Sequence, residues 1–137
     1  MNSRYREKLS EDGFRAVVEG LLAAGKKVVI IYPFPSADNS VPVLLTSAVM
    51  RGRDPEALSI SYPEYSKENA SGFAFLDSLP RGKNIMRVYP DKFLCTKADC
   101  AIIKNGTPLY FDSNHISVAG AKYLEPLFSP ILDDLVP

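Results

Sequence analysis

Apolar residues along this chain follow helical spacing in some segments and form uninterrupted runs in others. After Ser10, which suits a helix N-cap, they recur with the spacing of one helical stripe, at Phe14, Val17, Val18, Leu21 and Leu22. Gly25 is expected to end this helix. Residues 27–32 are mostly β-branched and do not alternate, which is typical of a strand buried on both faces of a parallel sheet. This order of helix, glycine and buried strand indicates an α/β fold.

The segments that follow predict loops and helices. Residues 33–40 contain two prolines and a polar cluster, so we expect a loop at the carboxyl end of the strand, where parallel sheets bind ligands. Residues 41–50 predict a short helix and residues 51–55 a break. Residues 63–79 predict a second helical stretch, with Gly72 as its weak point.

The last third of the chain predicts a strand, a hairpin and a helix. Residues 84–89 form the strand, and Asn105-Gly106 favours a tight hairpin turn within residues 101–110. The final helix begins near Ser117, which caps it, and is kinked or divided by Pro126 and Pro130. Its expected buried residues are Ala121, Leu124, Leu127 and Phe128. Only two strands are of the parallel type, whereas a doubly wound sheet has about four to six, so the architecture is expected to be incomplete.

Size and charge narrow the function classes. The 137 residues, 46% of them hydrophobic, suit a single domain over residues 1–137. The net charge is zero and no long basic run occurs, so nucleic-acid and anionic-membrane partners are not expected. No apolar run approaches the roughly 20 residues of a membrane span. Residues 1–8 lack the apolar stretch of a secretory signal, so export would depend on an upstream segment of a longer polypeptide.

The chain contains two cysteines and one histidine. Cys95 and Cys100 suit either a small local disulfide or two free thiols of a cytosolic protein. Two cysteines and one histidine, with no second pair, make a poor zinc signature, so neither a metal nor a cofactor is expected.

The single histidine, His115, follows Asp112 by three residues. A carboxylate that fixes the imidazole tautomer makes histidine a base for activating a hydroxyl, so Asp112 and His115 are candidate catalytic residues. The structural alternatives are an ordinary histidine near a helix and an aspartate that caps backbone amides. Ser36 and Ser40 lack the glycine and tight turn of a nucleophilic serine. Aromatic residues at the ends of the predicted strands are expected to lie in the core rather than to form a surface that stacks against sugars. These residues are Tyr32, Phe34, Tyr110 and Phe111.

Four features together resemble the C-terminal half of the SGNH-hydrolase-like domain of acyltransferase-3 proteins, the O-antigen and polysaccharide O-acetylases. They are the strand entry at residues 25–31 with its two following prolines, the strand end at residues 88–90, the cysteine pair, and the Asp112 to Ala121 motif with the residues before it. The resemblance implies a three-layer α/β/α, flavodoxin-like fold that lacks its N-terminal strands and carries a small hairpin near the C-terminus. It also implies that Asp112 and His115 are the acid and base of the triad, and that the cysteines form an extracytoplasmic disulfide.

In that family the nucleophilic serine and the oxyanion-hole blocks belong to an N-terminal segment that this chain is expected to lack. The implied function is therefore part of an extracytoplasmic, membrane-anchored O-acyltransferase or esterase that acetylates cell-surface polysaccharide. Its implied partners are the acyltransferase-3 membrane domain, the missing segment and a carbohydrate acceptor. One alternative is a noncatalytic remnant that binds a glycan or protein through the loops at residues 33–40 and 112–117, with an exposed strand edge at residues 28–31 that invites pairing. The other is a cytosolic small-molecule binder.

Overall fold

The computed structural model describes residues 3–135, without the side chains of residues 3–7, 9 and 135. The outermost residues, including the chain start considered above, lie outside this range. The helices are α1 (Ser3–Ala23), α2 (Val41–Met50), α3 (Tyr62–Glu68), α4 (Ala70–Asp77), α5 (Pro90–Leu94) and α6 (Val118–Leu135). The strands are β1 (Val28–Ile31), β2 (Ser59–Ser61), β3 (Ile85–Val88), β4 (Asp99–Ala101), β5 (Ile103–Lys104) and β6 (Thr107–Pro108). A single 3-10 turn covers Pro55–Ala57.

The residues divide into two compact units, of which the first takes in residues 1–32 and 70–88. Its sheet contains β1 and β3, which pair in parallel with Val28 opposite Ile85 and Ile31 opposite Val88. Val28, Ile30, Ile85 and Val88 are buried, whereas Ile31 is 49% exposed, so the expectation that β1 is buried on both faces was wrong. The two apolar runs therefore form the parallel strand pair that the sequence predicted, and the α/β character of the chain is confirmed.

Helix α1 is longer than its apolar pattern indicated. It begins at Ser3, so Ser10 lies inside the helix rather than at its N-cap. Its C-terminal end is as predicted, because Gly25 adopts a φ of 73° and its amide donates to the Leu22 carbonyl. Within the apolar stripe Val18 is buried, whereas Phe14 and Val17 are exposed.

The second unit takes in residues 33–69 and 89–137. Strands β2 and β4 pair antiparallel in it, an element that the sequence did not predict. Strands β5 and β6 form the predicted hairpin. Its turn residues Asn105 and Gly106 have φ values of 49° and 74°, the left-handed conformations that a tight primed turn requires.

The predicted helix over residues 63–79 is in fact two helices. The break falls at Asn69 rather than at Gly72, because Asn69 ends α3 with both its backbone amide and its side-chain amide donating to the Tyr65 carbonyl. Asparagine competes with helix continuation through such local hydrogen bonds.

Helix α6 begins directly after Ser117, as predicted, but its prolines do not divide it. Proline removes the amide that would bond the carbonyl four residues earlier, here the carbonyls of Lys122 and Pro126. Both of these residues are exposed. Leu124 is buried as expected, whereas Ala121 is exposed.

Cys95 and Cys100 form a disulfide with an S–S distance of 2.07 Å, which resolves the two alternatives in favour of the local bridge. Cys100 is fully buried. None of the helices within residues 3–135 is both long and apolar enough to cross a membrane.

Candidate functional site

Asp112 and His115 are in direct contact. The Nδ1 atom of His115 lies 2.7 Å from Oδ2 of Asp112. The other carboxylate oxygen, Oδ1, accepts hydrogen bonds from the backbone amides of Asn114 at 2.9 Å and His115 at 2.8 Å. These two amides, together with the imidazole, lower the pKa of Asp112 from 3.8 to about 2. The carboxylate is therefore ionised at neutral pH, and it both caps the turn and orients the ring.

The arrangement leaves one imidazole nitrogen free for chemistry. An ionised carboxylate only accepts hydrogen bonds, so the proton of a neutral His115 ring is assigned to Nδ1 and the lone pair to Nε2. Nε2 makes no hydrogen bond to any other residue between 3 and 135, and the His115 side chain is 74% exposed. A neutral imidazole nitrogen of this kind can accept the proton of a hydroxyl within hydrogen-bond distance.

Backbone contacts fix the turn that carries the pair. Tyr110 and Ile116 form an isolated antiparallel bridge, and the Phe111 amide donates to the His115 carbonyl at 2.7 Å. Tyr110 is buried, and this burial raises the pKa of its hydroxyl. The turn is therefore closed across its base and anchored in the core of its unit.

The loop over residues 33–40 also contacts this turn through backbone hydrogen bonds. The Ala37 amide donates to the Ser113 carbonyl at 2.8 Å. The Val41 amide, at the start of α2, donates to the Asp112 carbonyl at 3.0 Å. Both carbonyls of the Asp112-Ser113 pair are thus engaged by the preceding loop and helix.

Helix α6 begins against the other side of the turn. The Ser117 hydroxyl donates to the Pro108 carbonyl and accepts from the Gly120 amide, which confirms its capping role. A Cβ atom at Gly120 would lie 2.1 Å from the Leu109 carbonyl oxygen, so only glycine permits this approach. The pattern Ser117-x-x-Gly120 thus locks the helix start to the strand that leads into the turn.

A polar cleft of about 370 Å³ lies beside the loop over residues 33–40. Hydroxyl, amide and carboxyl groups line it, and they include those of Ser36, Asn39, Ser59, Glu64 and Glu68. Asp112 and His115 are not among the lining residues. The sequence had identified the loop as a candidate site lining, but the contribution of α3 was missed because it depends on tertiary packing.

Phe111 corrects one expectation from the sequence. It is 75% exposed, directly before Asp112, whereas Tyr32 and Tyr110 are buried as predicted. Because strand pairing at the Tyr110 bridge turns Tyr110 inward, the next side chain along the chain faces outward. An exposed aromatic ring therefore lies next to the candidate acid and base.

Neither a nucleophile nor a metal cluster accompanies the pair in the part of the chain that the structure describes. No serine hydroxyl among the described side chains, which do not include that of Ser3, hydrogen-bonds to the His115 ring, and the Ser117 hydroxyl bonds backbone groups. Ser36 lines the polar cleft instead. No cluster of three or more histidine, cysteine, aspartate or glutamate side chains is placed to hold a metal ion within these residues.

A family model described as an SGNH domain, fused to AT3 domains, matches residues 1–130. The chain belongs to this family. No curated protein and no solved structure matches the SGNH domain described here. The family description supports an acyltransferase or esterase-related module with a membrane acyltransferase as partner domain, and the disulfide fits an extracytoplasmic domain.

Proposed function

We propose that this SGNH domain supplies the acid–base pair of an extracytoplasmic O-acyltransferase or esterase that acts on cell-surface polysaccharide. The observation that carries the proposal is the 2.7 Å contact between Asp112 and the Nδ1 atom of His115, which leaves Nε2 exposed. In this role Asp112 fixes the tautomer and stabilises the imidazolium, and His115 moves the proton.

The proposed reaction has two half-reactions. His115 Nε2 first takes the proton of a serine hydroxyl, and the serine oxygen attacks an acetyl donor to give an acyl-serine while the imidazolium protonates the leaving group. A sugar hydroxyl then loses its proton to His115 and attacks the acyl carbon. The acetyl ester of the sugar leaves, and the serine oxygen recovers the proton from His115. In this proposal the serine and its oxyanion hole come from a segment of the SGNH fold outside the present chain.

The proposed setting follows from the family and the disulfide. Acetyl groups reach the domain through the membrane acyltransferase domain to which this family is fused. The Cys95–Cys100 bridge suits an oxidising, extracytoplasmic compartment such as the periplasm. An O-antigen or related polysaccharide is then the acceptor on the same side of the membrane.

The decisive experiment compares O-acetylation of surface polysaccharide in cells that carry the native gene or its variants. We expect His115→Ala to lower the O-acetyl content strongly, because loss of the base of such a triad reduces kcat by about a millionfold. Asn114→Ala is the matched control, since Asn114 contributes only its backbone amide to the Asp112 interaction. Equal O-acetyl content in the His115→Ala and native strains contradicts the proposal.

A second experiment tests whether the serine lies elsewhere. The purified chain is incubated with an activated acetyl ester and with a fluorophosphonate probe that labels nucleophilic serines. We expect neither serine-dependent turnover nor labelling. Labelling of Ser36, Ser40 or any other serine of this chain overturns the proposed division of the triad.

The polar cleft favours a second candidate function, that of a noncatalytic module that binds glycan. Its lining offers the hydroxyl, amide and carboxylate groups that bind sugar hydroxyls, and neither Asp112 nor His115 belongs to it. Titration of the chain with purified surface polysaccharide distinguishes the two functions. The binding module requires affinity that Asn39→Ala and Ser59→Ala reduce, together with unchanged O-acetylation in the His115→Ala strain.

A further inference from the structure

Helix α2 has no charged residue, although one of its faces is exposed. Its sequence, residues 41–50, contains only apolar residues, threonine and serine. Val41, Leu45 and Ala48 face the core. The opposite face carries Val43, which is 62% exposed, and Met50, which is 82% exposed. An exposed helix usually has a polar outer face. The outer face of α2 is apolar like its core-facing side, which is typical of a surface that contacts an apolar environment.

Two shallow apolar grooves extend this face. One, of about 320 Å³, lies along Pro42, Val43, Thr46, Ser47 and Met50. The other, of about 290 Å³, lies between Val49 of α2, Pro55 and the hairpin residues Ile103 and Pro108. The apolar surface is therefore wider than the helix itself. We call it the α2 patch and define it by Val43, Thr46, Val49 and Met50.

The charged residues at one end of the patch suit phospholipid phosphates. Arg51 and Arg53 follow α2 directly, are exposed, and form no ion pair or hydrogen bond through their side chains with other described residues. The neighbouring carboxylates accept hydrogen bonds from backbone amides rather than from these arginines, Asp54 from that of Glu56 and Glu56 from that of Gly106. The two guanidinium groups therefore remain available beside the apolar surface.

From these observations, and from the fusion of this family to membrane domains, we infer that the α2 patch rests on the surface of a lipid bilayer. Val43, Val49 and Met50 enter the boundary between headgroups and acyl chains, while Arg51 and Arg53 bind phosphates. Because apolar burial drives the contact, the zero net charge of the chain does not reveal it. The inference is independent of the proposed catalytic role.

The same helix connects the bilayer to the candidate active site. The Val41 amide, at the N-terminal end of α2, donates to the carbonyl of Asp112. Ten helical residues span about 15 Å, so a bilayer contact along α2 holds the Asp112–His115 pair within that distance of the surface. An acyl group that emerges from a membrane domain would then reach the pair over a short path.

Fluorescence tests this inference, because the chain contains no tryptophan. The variant Met50→Trp places a single reporter in the patch, and Val17→Trp places one on α1, where Val17 is 63% exposed. Vesicles of phosphatidylcholine mixed with phosphatidylglycerol are added to the full chain. We expect a blue shift of the Met50→Trp emission and quenching by brominated acyl chains, and no change for Val17→Trp. No shift for Met50→Trp, or equal shifts for both, overturns the inference.

Second-site variants in the Met50→Trp chain identify the groups responsible. Val43→Glu is expected to weaken vesicle binding by about tenfold or more, whereas Val17→Glu, an equally exposed helical valine, leaves it unchanged. Arg51→Gln with Arg53→Gln is expected to weaken it by about tenfold or more on phosphatidylglycerol vesicles, since each arginine near such a surface contributes about fivefold. Far-UV circular dichroism verifies that each variant is folded. Equal binding by Val43→Glu and Val17→Glu contradicts the assignment of the bilayer contact to α2.

Discussion

At the scale of single residues, Asp112 combines two roles that the sequence presented as alternatives. One carboxylate oxygen caps the amides of Asn114 and His115, and the other holds the imidazole. Capping and ring orientation therefore depend on the same ionised group. A change of pH or a substitution at Asp112 affects the stability of the turn together with the position of the base.

The lowered pKa of Asp112 predicts a pH-dependent stability difference. Because the folded-state pKa lies at about 2, below the ordinary value of 3.8, the ionised carboxylate stabilises the folded protein above pH 3.8, and this contribution is lost as the pH falls toward 2. Urea unfolding of the native chain and of Asp112→Asn at a series of pH values measures it. We expect the native chain to be more stable at neutral pH and the difference to shrink over this window. A difference that grows on acidification contradicts the assignment.

Gly120 predicts a site where a single methyl group is costly. In Gly120→Ala the new Cβ would meet the Leu109 carbonyl oxygen at 2.1 Å, so the helix start must shift. We expect a loss of about 1–3 kcal/mol in the free energy of unfolding. Gly72→Ala is the matched control, because nothing lies within 4 Å of its Cβ, and α4 should gain about 0.5–1 kcal/mol. Urea denaturation of both variants distinguishes the two outcomes.

At the scale of elements, the structure shows which signals are local enough to be read from a sequence. The residues of the Asn105-Gly106 turn and the apolar runs of β1 and β3 are sufficient to indicate these elements without any tertiary contact. All three were predicted. Strand β2 was not predicted from the sequence, because Ser59-Ile60-Ser61 contains a single apolar residue. It becomes a strand only by pairing with β4, about 40 residues later in the chain. The position of an isolated short strand is a tertiary property.

The candidate site likewise has local features that could be predicted and long-range contacts that could not. The Asp112–His115 contact spans three residues and was predicted from their spacing, and Ser117 was predicted as a helix cap. The contacts of Ala37 with Ser113 and of Val41 with Asp112 join segments that are distant in the sequence, so no local sequence pattern predicts them. The exposure of Phe111 was missed because an aromatic residue beside a strand suits a core equally well.

The disulfide predicts a modest contribution to stability. It closes a loop between Cys95 and Cys100, a separation of 5 residues, and so short a loop contributes about 2 kcal/mol in the chain-entropy model. Cys95→Ser with Cys100→Ser is expected to lower the free energy of unfolding by about this amount in urea denaturation. Addition of reductant should lower the stability of the native chain and leave the double variant unchanged. An equal effect of reductant on both proteins contradicts this origin.

At the scale of the whole molecule, the α/β character and the SGNH family are established, while the three-layer arrangement, the single domain and the absent N-terminal strands stay predictions. The first unit has only two paired strands within the described residues.

The proposed extracytoplasmic setting predicts the redox state of the isolated protein. Protein recovered from its native compartment without reductant, with thiols alkylated at lysis, should show no titratable thiol after unfolding, because both cysteines are paired. Prior reduction provides the control and should reveal both thiols. Two free thiols in the unreduced sample would instead support the cytosolic small-molecule binder.

The closed turn around Asp112 and His115 has an evolutionary consequence. The carboxylate, the imidazole and the two amides lie within four consecutive residues, so they pass together through any rearrangement of the gene that spares this turn. A descendant without the proposed serine would keep the same geometry for as long as the turn contributes to folding. The pair is thus a durable marker of ancestry, whether or not the proposed serine accompanies it.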